Sequence, residues 1–555
     1  MSSRIDAEAK LPNMPTGFFG LLLNQPYLKE IVGPSVRLNF KLNYYPDQQK
    51  DSLLEFGVTS QAINAFGELS IGNTTQLRDL DEPITLEWLL TPQRIEALRK
   101  VFSGLESDQL RELELLNDSK LKISVEDLSF QTPKHIKELG HALSHGAMTL
   151  QFRLNPFSVN DPGQKMQTHF EKIFGEVVTK PHNSNVAFTM KMKGTSGIER
   201  KRFDSVVTGY VDETFNPDGS LATDRLVLSL TSTHKRSPLS LLCEFLFPSA
   251  IIGQSISPLI GEYVDGHIEL KTKSIHEGVF NANLSGENGQ LKVSGEIKNK
   301  FLTLDQPLTA SLKVTPQLGK SVLSYLNPLL SAISHSEQSI KLNVPKEGVR
   351  IPLTGGNISQ LDIPSITLDI GKVHFNNVDS VNTILEVLNH QASPQVNIWL
   401  LPIYASVDKG ILKISRVDML IDQNFPIAMW GKVDLIKDKL KLKLGLTPLA
   451  LYRSRGIQIA TDTLFILPII GSSSRPSIDV KKAAGRIASE SLKGQGIEGQ
   501  IPAFALDLLT GNLKEQETPK PTTLPLPWEI NLPGHASEKS VIQNSAEKLL
   551  QKIFK

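Results

Sequence analysis

Three groups of residues have types and spacings that could do chemistry. His141 and His145 have the spacing of two metal ligands on one face of a helix, but no HExxH glutamate accompanies them and no third ligand lies nearby in sequence. The stretch Gly494–Gly499 matches the GxGxxG dinucleotide fingerprint as text, yet it follows a predicted helix rather than a strand. Gly471–Ser474 lacks the second glycine of a nucleophile elbow. We therefore favour surface histidines, a loop and a turn over three chemical sites.

The composition bounds the size of the fold and excludes some classes of function. A chain of 555 residues is too long for a single core, so several domains or a repeat array are expected. The net charge of +1 gives no bulk attraction for nucleic acid, and none is predicted as a partner. The single cysteine, Cys243, excludes an intramolecular disulfide and a cysteine metal cluster. No P-loop and no catalytic group of residues is found, so the sequence predicts a protein that is not an enzyme, with no cofactor and no metal.

The elements that would position any site follow one recurring pattern, in which alternating strands end at Thr-Pro. Between Ile427 and Leu446, apolar residues occupy every second position on both sides of a turn, which is typical of strands with one apolar face. Thr447-Pro448 follows. Threonine accepts hydrogen bonds from the first free amides of a helix, and proline is tolerated at the first helical position. The pattern therefore predicts that a strand ends and a helix begins at Pro448.

The same pattern occurs earlier in the chain. The strand before Thr91-Pro92 contains Ile84, Leu86, Trp88 and Leu90, and the strand before Thr315-Pro316 contains Leu308, Ala310, Leu312 and Val314. In each copy the apolar residues step back by two from the threonine. A weaker copy runs from Gly209 to Thr231, with serine in place of proline. Internal repetition of this kind predicts stacked, similar units with irregular insertions between them.

These observations predict a mainly β chain with some helix, in an α+β arrangement of repeated strand–strand–Thr-Pro–helix units. We expect a helical insertion at 156–183, a β-bulge at Ser415-Arg416, and neither a signal peptide nor a transmembrane helix. The predicted segments are: a β-repeat unit with an N-terminal apolar helix at 1–132, a degenerate unit with the helical insertion at 133–235, a further unit at 236–352, a C-terminal β region at 353–482, helices at 483–514, a proline-rich linker at 515–536 and an amphipathic helix at 537–555.

Residues 400–482 also resemble a known family. The stretches that carry the resemblance are 405–414 (ASVDKGILKI), 430–435 (WGKVDL) and 467–480 (LPIIGSSSRPSIDV), of which the last is the most specific. They resemble the C-terminal region of the AsmA-like family of bacterial envelope proteins. The resemblance implies an elongated, curved antiparallel β-sheet with an open apolar groove, located in the cell envelope on the periplasmic side of the inner membrane. Members usually carry an N-terminal membrane anchor, and this sequence departs from that pattern.

The resemblance implies a role in phospholipid transport between the inner and outer membranes or in outer-membrane assembly. Its expected partners are phospholipid or another acyl lipid, and a membrane surface or envelope protein at the C-terminal helix. The residues expected to line the lipid groove are Ile84, Leu86, Leu308, Leu312, Val433, Leu435, Leu442 and Leu444. Three alternatives stay open: a β-sandwich with the same alternation, a structural or adaptor β-repeat protein without lipid, and a carbohydrate-active β-solenoid enzyme, although no clustered carboxylates favour the last.

Overall fold

The fold is known from a computed structural model. It describes residues 5–18, 27–45, 51–79, 82–102, 114–135, 138, 141–142, 145–161, 166–180, 185–212, 227–246, 257–274, 277–299, 301–324, 328–353, 358–376, 385, 395–455, 464–473, 475–478, 518–521 and 526–528. The chain divides into two compact units, with the division running through residues 287–302.

The first unit, Met1–Glu287 with Lys292–Phe301, is built from long antiparallel strands. Their order of pairing is β1–β2–β3–β4–β6–β8–β9–β11–β12–β13–β14–β15–β16, with β5 beside β4 and β8, and β7 beside β10, which pairs with β11. The strands are β1 Ile5–Pro15, β2 Ser35–Tyr44, β3 Ser52–Ser60, β4 Ile63–Ile71, β5 Thr74–Leu77, β6 Ile84–Leu90, β7 Glu114–Leu115, β8 Ser119–Gln131, β9 Ala147–Leu154, β10 Phe157–Asp161, β11 Met166–Thr179, β12 Val186–Ser196, β13 Lys201–Asp212, β14 Val227–Pro238, β15 Tyr263–Ser274, β16 Glu277–Gly286 and β17 Gly289–Lys298, the last of which contains the division.

The second unit has shorter strands and a branch point. One series of paired strands is β19–β21–β23–β26–β27–β28–β29–β30–β31, and a second series is β20–β24–β25. The two series meet at β27, where β26 pairs with the first half of one edge and β25 pairs with the second half of the same edge. The strands are β18 Phe301–Leu304, β19 Leu308–Leu312, β20 Ile333–Ser336, β21 Ile340–Val344, β22 Ile351–Pro352, β23 Asp362–Asp369, β24 Gly371–Asn376, β25 Gln395–Leu400, β26 Ile403–Asp408, β27 Ile411–Ile421, β28 Phe425–Asp434, β29 Lys439–Leu446, β30 Phe465–Gly471 and β31 Pro476–Ile478.

The α-helices are short, and three of them begin where the sequence predicts. They are α1 Leu28–Val32, α2 Pro92–Phe102, α3 Leu239–Leu246, α4 Pro316–Leu318 and α5 Pro448–Arg455; a π-helical turn covers Gly319–Leu323, and 3₁₀ turns cover Pro328–Ala332 and Ile358–Gln360. The hydroxyls of Thr91, Thr315 and Thr447 accept hydrogen bonds from amides three residues on, at 3.3, 3.1 and 3.1 Å. The predicted helix starts at Pro92, Pro316 and Pro448 are therefore confirmed, together with their capping by threonine.

The repeat is also visible in the order of elements. Helix α1, Gly33 and the strands β2 to β6 lead to Thr91 and α2; a helical turn at 257–260, Gly261 and the strands β15 to β19 lead to Thr315 and α4. Gly33 and Gly261 both have a positive φ, of 108° and 109°, and both end a helical turn by donating to a carbonyl four residues back. The mainly antiparallel β fold is confirmed, and the two segments have the same order of elements.

Two predictions for the region 133–235 are wrong. The expected helical insertion at 156–183 is the strand pair β10 and β11. A register shift between Phe170 and Lys172 changes the phase of alternation inside β11, so the apolar residues on the two sides of it do not follow one period of two. The degenerate repeat does not end at Thr231, because β14 continues to Pro238 and α3 begins at Leu239. Ser237-Pro238 ends β14 directly before this helix.

Three further expectations have different outcomes. The β-bulge at Ser415-Arg416 is confirmed by a register shift between Ile414 and Val417. The expected N-terminal apolar helix is present in part as α1, and it is preceded by β1, which the alternation analysis missed. The predicted helices at 483–514 and the amphipathic helix at 537–555 lie outside the described residues. In the part of the chain that is described, no helix has the length and apolar character needed to cross a membrane.

Candidate functional site

The strand register of the first unit gathers its apolar side chains on one face of the sheet. Directly opposed residues of an antiparallel pair point to the same side, and Leu86 lies opposite Ala65 on one neighbour and Ile123 on the other. Successive pairs extend this row over the sheet. Its members are Leu11, Leu38, Val58, Ala65, Leu86, Ile123, Phe152, Gly175, Met190, Val207, Ser232, Ile268 and Ala282. We call the side on which they lie the apolar face.

Most side chains of the apolar face are only half-buried. Leu86 and its opposite neighbour Ile123 are both of intermediate exposure, as is Ile84. The same is true of Leu38, Leu42, Leu54, Phe56, Val58, Leu69, Val125, Leu150, Phe152, Leu154, Ile173, Val177, Val186, Phe188, Met190, Val207, Val211, Leu228, Leu230 and Leu270. Four residues on β1 and β2 are more exposed still: Ile5, Leu11, Phe40 and Tyr44. A contiguous apolar surface of this extent is a feature of binding surfaces.

Aromatic rings lie flat against glycines on this face. A Cβ added at Gly175 would lie 2.1 Å from the Phe152 ring on the neighbouring strand, and one at Gly209 would lie 2.8 Å from the Phe188 ring. Each ring therefore rests on the glycine backbone opposite it. These two rings therefore lie close to the backbone of the sheet rather than projecting away from it.

The opposite face of the same strands is charged. Lys41 and Glu55 form an ion pair at 3.0 Å, and three more pairs lie along the sheet: Arg78–Glu68 at 2.5 Å, Lys120–Glu87 at 3.5 Å and Lys193–Asp204 at 2.9 Å. A shallow concavity of about 630 Å³ on this side is lined largely by such residues, with the exposed ring of Phe66 among them. Charged pairs at this exposure are solvated, so this side faces water.

From β10 to β16 part of the apolar face is covered, and Ser232, Ile268 and Ala282 of the row are 1%, 2% and 3% exposed. Phe157, Phe170 and Phe203 pack together there, with ring centroids 4.9 and 5.7 Å apart, and Leu241 of α3 joins their cluster. Beside them, His234 is 3% exposed and its ring nitrogens contact the hydroxyls of Ser205 at 3.2 Å and Ser232 at 2.9 Å. Burial lowers the pKa of His234 to about 4, so this imidazole is neutral at pH 7.

The second unit uses the same alternation to build a closed core. Leu442 lies opposite Gly431 and Ile469, and it is 1% exposed. Of the other residues expected to line a groove here, Leu312, Val433 and Leu444 are 2%, 0% and 0% exposed, Leu308 is half-buried, and Leu435 is half-buried in the turn after β28. The register places Val433, Leu442 and Leu444 on one face as expected, but that face is buried.

Two pieces of the predicted proline-rich linker pack on the other side of the strands of the second unit. Arg416 forms an ion pair with Asp418 at 2.6 Å, and its Nη1 donates to the Pro519 carbonyl at 3.0 Å. Trp528 is 5% exposed and meets Trp399 edge to face at 5.8 Å. Leu526, Leu401 and Leu420 complete that cluster. At these residues the chain is bound to the sheet rather than free.

The carboxyl of this buried pair has a shifted pKa. Burial raises the pKa of the Asp418 carboxyl, and the hydrogen bonds and charge of Arg416 oppose that shift. The pair sits under Pro519, so its evident role is to hold the C-terminal segment on the sheet.

The residues singled out first for chemistry have ordinary surroundings. The rings of His141 and His145 lie 4.3 Å apart, and His145 contacts the His141 carbonyl oxygen at 2.9 Å. Among the described residues, no group of three or more histidine, cysteine or acidic side chains could hold a metal. Gly471 has a positive φ of 104° and ends β30 in a turn, while Gly494–Gly499 lies outside the described residues.

Of the residues predicted from the sequence to line a groove, Ile84 and Leu86 lie on the apolar face and are half-buried, and most other residues of that face were not singled out. The alternation at 148–154 and 186–192 was visible in the sequence and would have located Phe152 and Phe188. Comparison of the chain with protein-family models, with curated proteins and with solved structures finds no match.

Proposed function

We propose that the apolar face of the first unit holds the acyl chains of phospholipid or another acyl lipid, in a non-enzymatic protein of the cell envelope. The observation that carries this proposal is a contrast in burial. The same alternating pattern is covered in the second unit, where Leu442 is 1% exposed, and is mostly half-buried along β2 to β9 of the first, as at Leu86.

The chemistry of the face fits acyl chains better than a polar ligand. The row through Leu86 contains one polar side chain, Ser232, and the ion pairs Lys41–Glu55, Lys120–Glu87 and Lys193–Asp204 lie on the other side of the sheet. Exposed apolar surface costs about 25 cal/mol per Å² relative to its burial, so a lipid chain lying along the rows would recover that free energy without specific contacts. The low-lying rings of Phe152 and Phe188 leave room for it.

The resemblance of residues 400–482 to AsmA-like proteins supports the same direction. We propose on that basis an elongated, curved groove, a location on the periplasmic side of the inner membrane, and a part in moving phospholipid between membranes or in outer-membrane assembly. The C-terminal helix predicted at 537–555 is the proposed contact with a membrane surface or an envelope protein.

The experiment is to purify the full chain, extract it and identify bound lipid by mass spectrometry. The variants are Leu86→Asp and Ile123→Asp, which lie opposite each other on the apolar face. The control is Ser124→Asp, which adds the same charge one residue away on the other face, at a position of similar exposure. We expect both face variants to lose most of the lipid while the control keeps it.

Two outcomes would refute lipid holding. The first is a parent chain that carries no lipid and takes up none from vesicles, which would favour a structural or adaptor role. The second is an equal loss of lipid in Ser124→Asp and Ile123→Asp, which would show that lipid is not bound on one face. Thermal unfolding of each variant is measured alongside, so that loss of fold is not mistaken for loss of binding.

A further inference from the structure

Among the described residues, the outer side of strand β1 forms an unpaired edge of the sheet in the first unit. The strand runs for 11 residues, pairs with β2 only, and is exposed at every residue from Ile5 to Asn13. In the described part of the chain, no strand pairs with its outer side. By contrast β31, which pairs only with β30, has 3 residues and begins with a proline, two features that protect an edge from further pairing.

The unpaired edge of β1 is suited to pairing with another extended chain. Backbone amides and carbonyls spaced along a strand form a ladder only with a second strand, as in β-strand addition. Proteins normally protect such edges because they pair with other chains. The stretch from Ala7 to Leu11 lies before the register shift that interrupts β1, so it is regular enough to accept a partner strand.

We propose that this partner is the β1 strand of a second copy of the chain, paired antiparallel about a two-fold axis at Ala9. With the axis there, Glu8 lies opposite the second copy's Lys10, and Lys10 lies opposite its Glu8. Moving the axis to Glu8 would pair Lys10 with Asp6 but would also place two glutamates opposite each other at the axis, and moving it to Lys10 would place two lysines opposite each other. Placing the axis between two residues, instead of at one, would put each apolar residue opposite a charged residue of the second copy.

The same register joins the apolar faces of the two copies. Ala9 lies opposite the second copy's Ala9, and Ala7 lies opposite its Leu11, all on the side that carries Phe40 and Leu42. Ile5, Leu11, Phe40 and Tyr44, which are 53, 41, 37 and 42% exposed, lie beside the new junction. The pairing therefore extends the apolar face, which otherwise ends at its most exposed residues. The proposed dimer does not depend on whether that face holds lipid.

The charges provide a test, because Glu8 and Lys10 are exposed and their ion pair at 2.5 Å lies within one strand, where a second copy can exchange it for two pairs across the junction. In Glu8→Lys positions 8 and 10 both carry a positive charge, and in Lys10→Glu both carry a negative charge. Each single variant should dimerise at least about tenfold more weakly than the parent, since two attractive cross-strand pairs become repulsive. An equimolar mixture of the two variants should form a heterodimer, because each strand then opposes one of opposite charge.

The measurement is the mass of the full chain by light scattering and sedimentation at low salt, over a range of concentrations. Lys193→Glu is the matched control: it makes the same charge change in an ion pair with Asp204 inside the sheet, and its dimer should equal that of the parent. A parent chain that stays monomeric overturns the proposal. So does a dimer that neither edge variant weakens, or a mixture of the two variants that fails to associate.

Discussion

The same substitution at equivalent positions of two repeats should have opposite consequences. Leu86 precedes Thr91 by five residues and Leu442 precedes Thr447 by five, so sequence alone does not distinguish them. Leu86 is half-buried and Leu442 is 1% exposed. We predict that Leu442→Asp unfolds the second unit, whereas Leu86→Asp leaves the first unit folded.

The expected magnitudes differ by several kcal/mol. Removing a fully buried leucine side chain costs about 2–5 kcal/mol through lost transfer free energy and the cavity left behind. A carboxylate in the same place has a pKa raised by up to about 3–5 units, which adds about 4–7 kcal/mol at pH 7. Together these costs reach the total stability of a typical domain. At Leu86 about half of a burial term is lost and the carboxylate stays in water, so the cost is about 1–2 kcal/mol.

Hydrogen exchange read by mass spectrometry separates the two units. In Leu442→Asp, peptides from β28 and β29 should lose protection while those from β6 and β8 keep it; in Leu86→Asp both should keep it. The defect at Leu442 should shrink on acidification, because the carboxyl's folded-state pKa is raised above its unfolded value of about 3.9, and the penalty present above both values is lost below them. Equal destabilisation by the two substitutions would show that the first unit also has a closed core, and would remove the basis for an open apolar face.

Three more predictions follow from contacts described above. Gly175→Ala should destabilise the first unit by about 1–3 kcal/mol, because its new Cβ would lie 2.1 Å from the Phe152 ring, and a double-mutant cycle with Phe152→Leu should recover part of that cost. Trp528→Ala should increase proteolytic cleavage between residues 515 and 533, since it removes the buried ring that holds this segment on the sheet; unchanged cleavage would contradict the packing. The parent chain should lose up to about 3 kcal/mol of stability as pH falls from 6.5 to 4, because His234 resists protonation when folded, and His234→Gln should abolish that loss in denaturant titrations across this pH window.

The elements of the fold could be predicted where their cause is local. Alternation with period two fixes which residues of a strand share a face, and a capping threonine followed by proline fixes where a helix begins. These features gave the helix starts at Pro92, Pro316 and Pro448 and the bulge near Ser415 before any tertiary contact was considered. The repeat was found for the same reason, because its copies share the same local signals.

Prediction was wrong where a local irregularity hides a strand or moves its end. The bulge near Phe170 changes the side on which following residues point, so β11 does not show one period and was interpreted as helical. Strand β1 has alternating but small residues, Ala7 and Ala9, and its pairing with β2 supplies the stability that its own composition does not indicate. In both cases a neighbouring strand stabilises an extended conformation that the segment's own sequence leaves undecided.

The amino-acid sequence by itself determined the phase of the apolar residues, since phase depends only on spacing along the chain. Only the tertiary structure decided whether each apolar face is covered. Leu86 and Leu442 have the same local pattern, yet exposure depends on which distant segments pack above a strand, and those contacts are not encoded in its periodicity. In the second unit, residues that were expected to line a groove are covered and form a core. In the first unit, much of the apolar face is only half-buried, and this face is therefore the candidate site.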